Sequence, residues 1–552
     1  MPNVADFLIE RLENAGAKHI FGVPGDYVLQ FIRRINESKK TTFINTTDEA
    51  HSGFAADAYA RVNGIGCVCA TYNVGALKLC NAIAGAYAEK SPVLVISGSP
   101  GVKERNEDFL LHHVVRSFEN QQKMFKHITS YSVILDDPTK AGFYIDEAFE
   151  ALQKYKQPVY IELPRDIAEM PLRYDVYRQG TPANKPSDPE TLVDATDEVV
   201  AWIKNSKKPV IMAGVQIARF GLGGQLVRFA ERHNIPMVTT LLSKSTINEH
   251  HPLFAGVYSG SQTSQSSLRQ LVDDSDCLLI FGELLTDMTL GFESPKFKKK
   301  QTIFCSTEGL KVRNHSYNKV NFLEFCTNLF KLDFGKKENL VLPEKKQVGK
   351  FIPNEAKITT QRFFEKVNSV IAENPNLSIV ADIGECLFGA SELTVQHHRF
   401  ISPAFYCSMG FAIPGALGVM FAKPDTRPIV LVGDGAFQMS ATELSTFLQK
   451  KLNPIVIVLN NKGYTTERFL LDGDFNNILN WNYHKVGELL AGGNGSVVET
   501  EKELETALTE ALKCKDLYLI NVCVDPKDIS VNLRRMVDNL APRVDFVKSR
   551  FP

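Results

Sequence analysis

The stretch IVLVGDGAFQMSATELSTFLQKKLNPIVIVLNNKGYTTE, residues 429–467, restricts the fold more than any other part of the chain. Residues 429–432 form a short unbroken run of branched apolar side chains, the pattern of a parallel strand buried on both faces. Gly433-Asp434-Gly435 ends that run. A helix is expected from about 440 to 452, and residues 454–459 read as a second buried strand closing at Asn460-Asn461. Strand, helix and strand in this order make a βαβ unit, and such units bind ligands beyond the carboxyl ends of their strands.

Those two ends carry hard oxygen chemistry. Asp434 offers a carboxylate, Asn461 an amide oxygen, and the chain at Gly463 can bend to turn a carbonyl inward. Such donors suit Mg²⁺, which is octahedral and completes its shell with phosphate oxygens and water. Gly435 lets the backbone approach a phosphate, and the N–H groups of Gly435 and Ala436 would face it at a helix start. Either Gly-Asp-Gly or Asn-Asn alone is an ordinary turn or strand end. Both across one βαβ unit point to a metal–diphosphate site.

A chain of 552 residues is too long for one core and implies about three domains. The expected fold class is α/β, with three doubly wound parallel-sheet domains at 1–173, 190–335 and 355–552. Linkers are expected at 174–189, rich in Pro, Asn, Gly and Ser, and at 336–354, rich in Lys. The first and third domains share a layout, with key polar residues at strand ends, but no clear sequence repeat. Lys plus Arg (62) nearly balances Asp plus Glu (63), which argues against nucleic acid or an anionic membrane as partner. No apolar run approaches the ~20 residues of a spanning helix. The amphipathic, acidic N-terminal segment does not read as a signal or transit peptide. Ten scattered cysteines without Cys-x-x-Cys pairs, Cys67 and Cys69 alternating on a buried strand, suit a cytoplasmic enzyme with reduced thiols. Gly221-Leu222-Gly223-Gly224 reads as a glycine-rich loop, the lysines of 296–300 as a solvated run, and 492–495 as a turn.

The sequence GDG, a helix, and a strand ending in NN resembles the cofactor motif of thiamine diphosphate enzymes. The continuation Gly463-Tyr464-Thr465-Thr466-Glu467 is similar to the 2-oxo-acid decarboxylase branch, with its pyruvate, indolepyruvate, phenylpyruvate and branched-chain members. The likeness spans nearly the whole chain. It implies non-oxidative decarboxylation of a 2-oxo acid to an aldehyde and CO₂ through a thiamine diphosphate ylid and enamine, with Mg²⁺ bound at Asp434, Asn461 and Gly463.

The resemblance also distributes roles. Glu49, in Thr47-Asp48-Glu49-Ala50, matches the glutamate that switches on the cofactor's aminopyrimidine from a dry, apolar site; the family pattern favours it over Asp48, although residues alone would make Glu49 a first-turn helix acid. Met409 matches the wedge between the cofactor rings, and the Cys407 carbonyl would accept from the 4′-amino group, where the family often has Gly. Asp26, His112, His113 and Glu467 match the groups that handle protons around carboxylate loss and aldehyde release. The chain has three His doublets, 112–113, 250–251 and 397–398, and only the first lies in the family context. Glu385 stands where the family often places a hydroxyl residue beside the diphosphate, and a carboxylate there would repel phosphate.

The resemblance places Leu387, Thr466, Leu470, Val531, Leu533 and Met536 around the substrate side chain. Thr466 is smaller than the isoleucine of many pyruvate-specific members, so aromatic or branched 2-oxo acids (phenylpyruvate, indolepyruvate, 2-oxoisovalerate) are the expected substrates, with pyruvate as an additional one. Self-association into a homodimer or homotetramer, with active sites at the interface, is implied too. Two other readings stand beside this one: an acetolactate synthase or pyruvate oxidase-like enzyme, and a non-catalytic regulatory protein that binds the cofactor.

Overall fold

A computed structural model describes residues 2–106, 109–172, 186–338, 340–345 and 348–544. Its frame is three sheets. The first is built from β1 (His19–Gly22), β2 (Thr42–Asn45), β3 (Gly66–Ala70), β4 (Val93–Ser99), β5 (Tyr131–Ile134) and β6 (Val159–Pro164). Its order is β2-β1-β3-β4-β6-β5, every pair parallel. The second holds β7 (Pro209–Ala213), β8 (Met237–Thr239), β9 (Phe254–Val257), β10 (Cys277–Phe281), β11 (Thr302–Ser306), β12 (Gly309–Val312) and β13 (His315–Tyr317). Its order is β13-β12-β11-β10-β7-β8-β9, parallel except for β12 and β13 at one edge. The third holds β14 (Leu377–Ala381), β15 (Phe400–Ile401), β16 (Arg427–Gly433), β17 (Ile455–Asn460), β18 (Asn494–Val498) and β19 (Tyr518–Cys523). Its order is β15-β14-β16-β17-β19-β18, again all parallel. Counted from its own first strand, it repeats the topology of the first sheet.

The central strands β3, β4, β7, β10, β14 and β17 are buried along their whole length. Helices on both faces impose this, so inner strands are nearly continuous apolar runs. In the third sheet the chain leaves β14 toward β15 on one side, and leaves β16 toward β17 on the other. Loops that part in this way open a crevice at the carboxyl ends, a topological switch point.

The chain falls into two compact units. One comprises the described residues of Met1–Lys185 with Ile413–Thr426 and Ser440–Lys451; the other holds the remainder, including the second and third sheets. In the first unit Glu443 is buried, with its carboxylate accepting from the Thr47 hydroxyl at 2.7 Å.

Several local expectations change. The helix foreseen from about 440 starts earlier, as Asp434–Ser440, followed by a 3₁₀ turn and the helix Leu444–Gln449. Asp434 Oδ1 accepts its neighbour's N–H, from Gly435 at 2.8 Å, so the chain turns directly from strand to helix. Gly223 and Gly224 open the helix Gly223–His233 instead of staying in a loop. At 492–495 only the first two glycines lie outside regular structure, because Asn494 begins the edge strand β18. Most of the first expected linker, 174–185, lies outside the described residues; Asp188 then caps the helix Pro189–Asn205. Of the second linker, 339 and 346–347 lie outside them, as do 545–552 at the end of the third expected domain. None of the ten cysteines is joined in a disulfide.

Glu283, just past β10, is fully buried and accepts from the Ser243 hydroxyl at 2.7 Å. Burial pushes its carboxyl up to about 7. Because the folded form keeps its proton longer than the unfolded one, this contribution to stability is present below the unfolded value, about 4.3, and is lost as pH rises through about 7. Glu283→Gln should therefore melt progressively higher relative to the parent chain between pH 5 and pH 8, by up to roughly 3 kcal/mol of stability. An unchanged difference in melting temperature across that range would show that Glu283 does not carry this dependence.

Candidate active site

The crevice of the third sheet gathers its polar residues from two adjacent strand ends. Asp434 follows β16, Asn461 follows β17, and Gly463 lies two residues further on. Asp434 is buried and its Oδ2 accepts the Gly463 N–H at 2.9 Å, which ties the two strand ends together. Burial pushes its carboxyl up to about 6, against the pull of the backbone N–H groups it accepts. Asn460 is held structurally, its amide donating to Asn480 at 2.9 Å and Asn521 at 3.1 Å. Asn461 differs: it is buried and its Oδ1 has no hydrogen-bond partner. An orphaned buried acceptor of this kind costs about 1–3 kcal/mol until something fills it. Gly463 has φ +134, and a Cβ there would fall 2.1 Å from the Asn476 carbonyl oxygen, so only glycine fits. A Cβ on Gly435 would meet the Tyr464 ring at 2.6 Å. The Gly435 N–H expected to face a phosphate is already given to Asp434.

Asp434, Gly435, Asn461 and Gly463 line a cavity of about 270 Å³ together with Cys407, Met409, Ala436, Leu387, Thr466, Glu467, Leu470 and Met536. Two expected wall residues are elsewhere. Val531 is exposed and Leu533 is packed in the core, and neither lines the cavity. Both belong to the helix Val531–Val544, whose cavity-facing stripe runs through Met536 and Leu540, one turn apart. The position of that stripe depends on how the helix docks. Met288 and Phe292, from the second sheet's segment, and Tyr464 complete the wall and were not foreseen. Cys407 has φ +58, the left-handed region that glycine adopts without strain. Glu467 is exposed, in the first turn of the helix Thr465–Leu470.

The first unit assembles the other predicted group. His112 Nε2 lies 2.8 Å from Asp26 Oδ2, and the Tyr27 hydroxyl lies 3.3 Å from His112 Nδ1. The Tyr27 ring stacks on His112 at a centroid distance of 4.7 Å. His113 sits edge-on to His112 at 4.7 Å, with φ +67 and a buried Nδ1 that has no partner. In this doublet His112 is joined to an aspartate on another element. His251 instead pairs with exposed Glu231, and His397 and His398 pack against each other.

Asp48 and Glu49 divide as their positions dictate. Asp48 caps the helix Glu49–Asn63, accepting the Ala50 N–H at 2.8 Å. Burial raises its carboxyl, but the bonds from Lys78 and Ala50 outweigh this and hold it below the ordinary value. Glu49 is mostly covered and lies 3.0 Å from the Lys78 ammonium. The apolar surroundings expected for Glu49 are thus replaced, within this unit, by a half-exposed lysine carried on the turn Ala76–Leu79.

Three family descriptions match the chain: the N-terminal TPP binding domain of thiamine pyrophosphate enzymes at residues 2–127, their central domain at 196–321, and their C-terminal TPP binding domain at 382–522. Indole-3-pyruvate decarboxylase of Azospirillum brasilense is 32% identical, over 97% of both chains. The chain belongs to the thiamine pyrophosphate enzymes. A probable pyruvate decarboxylase of Schizosaccharomyces pombe is 30% identical over 96% of this chain and 95% of its own. An alpha-keto-acid decarboxylase of Mycolicibacterium paratuberculosis is 29% identical over 98% of this chain and 97% of its own. Thiamine diphosphate is the cofactor of such enzymes, and the residues present fit its metal-bound end: a buried carboxylate, an orphaned amide oxygen and a glycine turn converge on one cavity.

Two outcomes follow for a thiamine pyrophosphate enzyme built this way. Asp434→Asn and Asn461→Ala should each weaken binding of thiamine diphosphate with Mg²⁺ by at least tenfold in calorimetry, with circular dichroism unchanged. Cys407→Gly should relieve the left-handed strain and leave the fold equal or more stable by roughly 1 kcal/mol. A clear drop in its melting temperature would contradict that.

Proposed function

We propose that this chain decarboxylates a 2-oxo acid without oxidation, releasing an aldehyde and CO₂, and that it prefers aromatic or branched-chain acids such as phenylpyruvate, indolepyruvate and 2-oxoisovalerate while also accepting pyruvate. One observation carries the reading: the hard-ligand end at Asp434, Asn461 and Gly463 opens into the same cavity as the apolar wall of Leu387, Leu470, Met536 and Leu540. The printed names of the relatives support it, since they include indolepyruvate, pyruvate and alpha-keto-acid decarboxylases.

When bound, thiamine diphosphate supplies the electron sink that lets a carboxylate leave as CO₂. Asp434, Asn461 and the Gly463 carbonyl would hold Mg²⁺ against its diphosphate, with Gly435 and Ala436 lining the approach. Met409 and the Cys407 carbonyl would set the ring end, and Glu49 would hold a proton at the pyrimidine. The apolar wall keeps water from a step in which charge is neutralised. Asp26 Oδ2 and His112 Nε2, at 2.8 Å, can pass one proton between them. Tyr27 fixes that ring by stacking, and His113 Nδ1 is left available for the substrate. Glu467, exposed at the cavity, can exchange its proton with solvent. Self-association as a homodimer or homotetramer, with active sites at the interface, belongs to this proposal, as does a cytoplasmic location. Among the described residues no helix is long and apolar enough to cross a membrane.

A coupled aldehyde assay with Mg²⁺ and thiamine diphosphate tests the reading across pyruvate, 2-oxoisovalerate, phenylpyruvate and indolepyruvate. The larger acids should give the higher kcat/KM; turnover of pyruvate alone would overturn the preference. An FAD spectrum with no aldehyde from any acid would favour an acetolactate synthase or pyruvate oxidase-like enzyme. Glu49→Gln should lower kcat by about 10²–10⁴ with the fold intact, and near-parental turnover would remove Glu49 from the mechanism.

A further inference from the structure

Glu385 is the one carboxyl in the cavity that the mechanism leaves unused. It opens the helix Glu385–Ala390 immediately beyond β14 and is only 6% exposed. Its Oε2 accepts the Ser530 N–H at 3.0 Å, while Oε1 is buried without any hydrogen-bond partner. The surrounding walls include Gly433, Asp434, Gly435, Ala436, Asn461 and Gly463, the residues read above as the diphosphate end.

Acidic side chains crowd this carboxyl. Asp528 acts on it from the segment before the helix Val531–Val544. The neighbouring Cys386 thiol feels Glu385 together with Asp382 and Asp434, and Glu467 lines the same cavity. Among the described lining residues there is no Lys, Arg or His. A buried carboxylate with acidic neighbours and no cation favours its neutral form. Burial, reinforced by Asp528, pushes Glu385 up to about 8. Since Oε2 is engaged as an acceptor by a backbone N–H, the proton belongs on Oε1, the oxygen that lacks a partner. That position then carries a donor, as a hydroxyl residue would, and the repulsion expected of a carboxylate is absent.

We propose that Glu385 serves as a neutral carboxylic acid whose Oε1–H donates to a diphosphate oxygen of the cofactor, so that binding takes up a proton wherever free Glu385 is ionised. The proposal rests on the cavity being the diphosphate site. No bond is made or broken: a proton from solvent joins Oε1 and stays there, shared with the phosphate oxygen.

The test is calorimetry of the full chain, dialysed free of cofactor, with Mg²⁺ and thiamine diphosphate at pH 7 and pH 9, each in two buffers of different ionisation enthalpy. Proton uptake should be about 0.1 at pH 7 and about 0.9 at pH 9, and Kd should rise about tenfold between them. These are the shares of Glu385 alone; Asp434 and the phosphate, both near 6, can only release protons, about 0.1 each at pH 7 and almost none at pH 9, so the uptake at pH 9 is the diagnostic value. Glu385→Gln keeps a donor without a titration, so its uptake should vanish, its Kd should become flat with pH, and at pH 7 it should bind within about threefold of the parent. Glu385→Thr should show the same flat profile if the Gln variant fails to fold. A parent Kd independent of pH, or a variant that retains the uptake, overturns the proposal; so does a folded Glu385→Gln that no longer binds at pH 7. Failure of the parent chain to bind thiamine diphosphate at either pH would instead overturn the site reading itself.

Discussion

The hydrogen bond from the Gly463 N–H to Asp434 Oδ2 is the constraint on which the candidate cofactor end of this molecule depends. It joins the ends of β16 and β17, whose register already sets Gly433 beside Leu459. With the strands paired, two short segments leave the sheet in parallel, and the bond fixes how far they part. Asp434 is thereby held buried on the wall of the cavity that Asn461 also lines. The arrangement requires glycine at 463, because the backbone there passes too close to Asn476 for any side chain. A parallel sheet with a switch point supplies the crevice, and this bond ties together two of the strand ends that border it.

Twice the chain places two similar polar residues side by side and uses them differently. Asp48 closes a helix while Glu49 begins it, and Asn460 is locked by two side-chain bonds while Asn461 keeps an orphaned oxygen. In each pair the first residue's hydrogen bonds hold the backbone that aims the second. In the Asn pair, folding tolerates the cost of the orphaned Asn461 oxygen while Asn460 is held by its neighbours. The same division marks the histidines: His112 is held by Asp26 and Tyr27, and His113 Nδ1 is left without a partner.

What was legible in the chain follows from how local its cause is. Inner strands such as β7, β10 and β17 announce themselves because burial on both faces demands apolar runs. Edge strands do not: β5 is only half-buried and β18 begins in a glycine turn, so their pairing partners, and not their residues, make them strands. That Asp434, Asn461 and Gly463 meet at one cavity was legible because strand ends are fixed by the strands themselves. Val531 and Leu533 were misplaced because the phase of a docked helix is decided by what it packs against. Lys78 beside Glu49 could not be anticipated, since the two lie on different elements 29 residues apart in sequence.

The charge pattern of the cavity closes the account. Its lining carries Asp434, Glu385 and Glu467 with no basic side chain among the described residues. Fully ionised, such a pocket would repel an anionic cofactor. Burial lessens this by pushing both buried carboxyls up, and only Glu385, at about 8 against about 6 for Asp434, goes far enough to keep its proton at neutral pH. In the proposed arrangement a divalent ion bound at Asp434 would make the carboxylate its favoured state, whereas Glu385, with Asp528 acting on it, would keep its proton. One acidic residue can thus act as a ligand and the other as a donor in the same cavity. The difference between them comes from position alone, since both are carboxyl groups at the ends of adjacent strands.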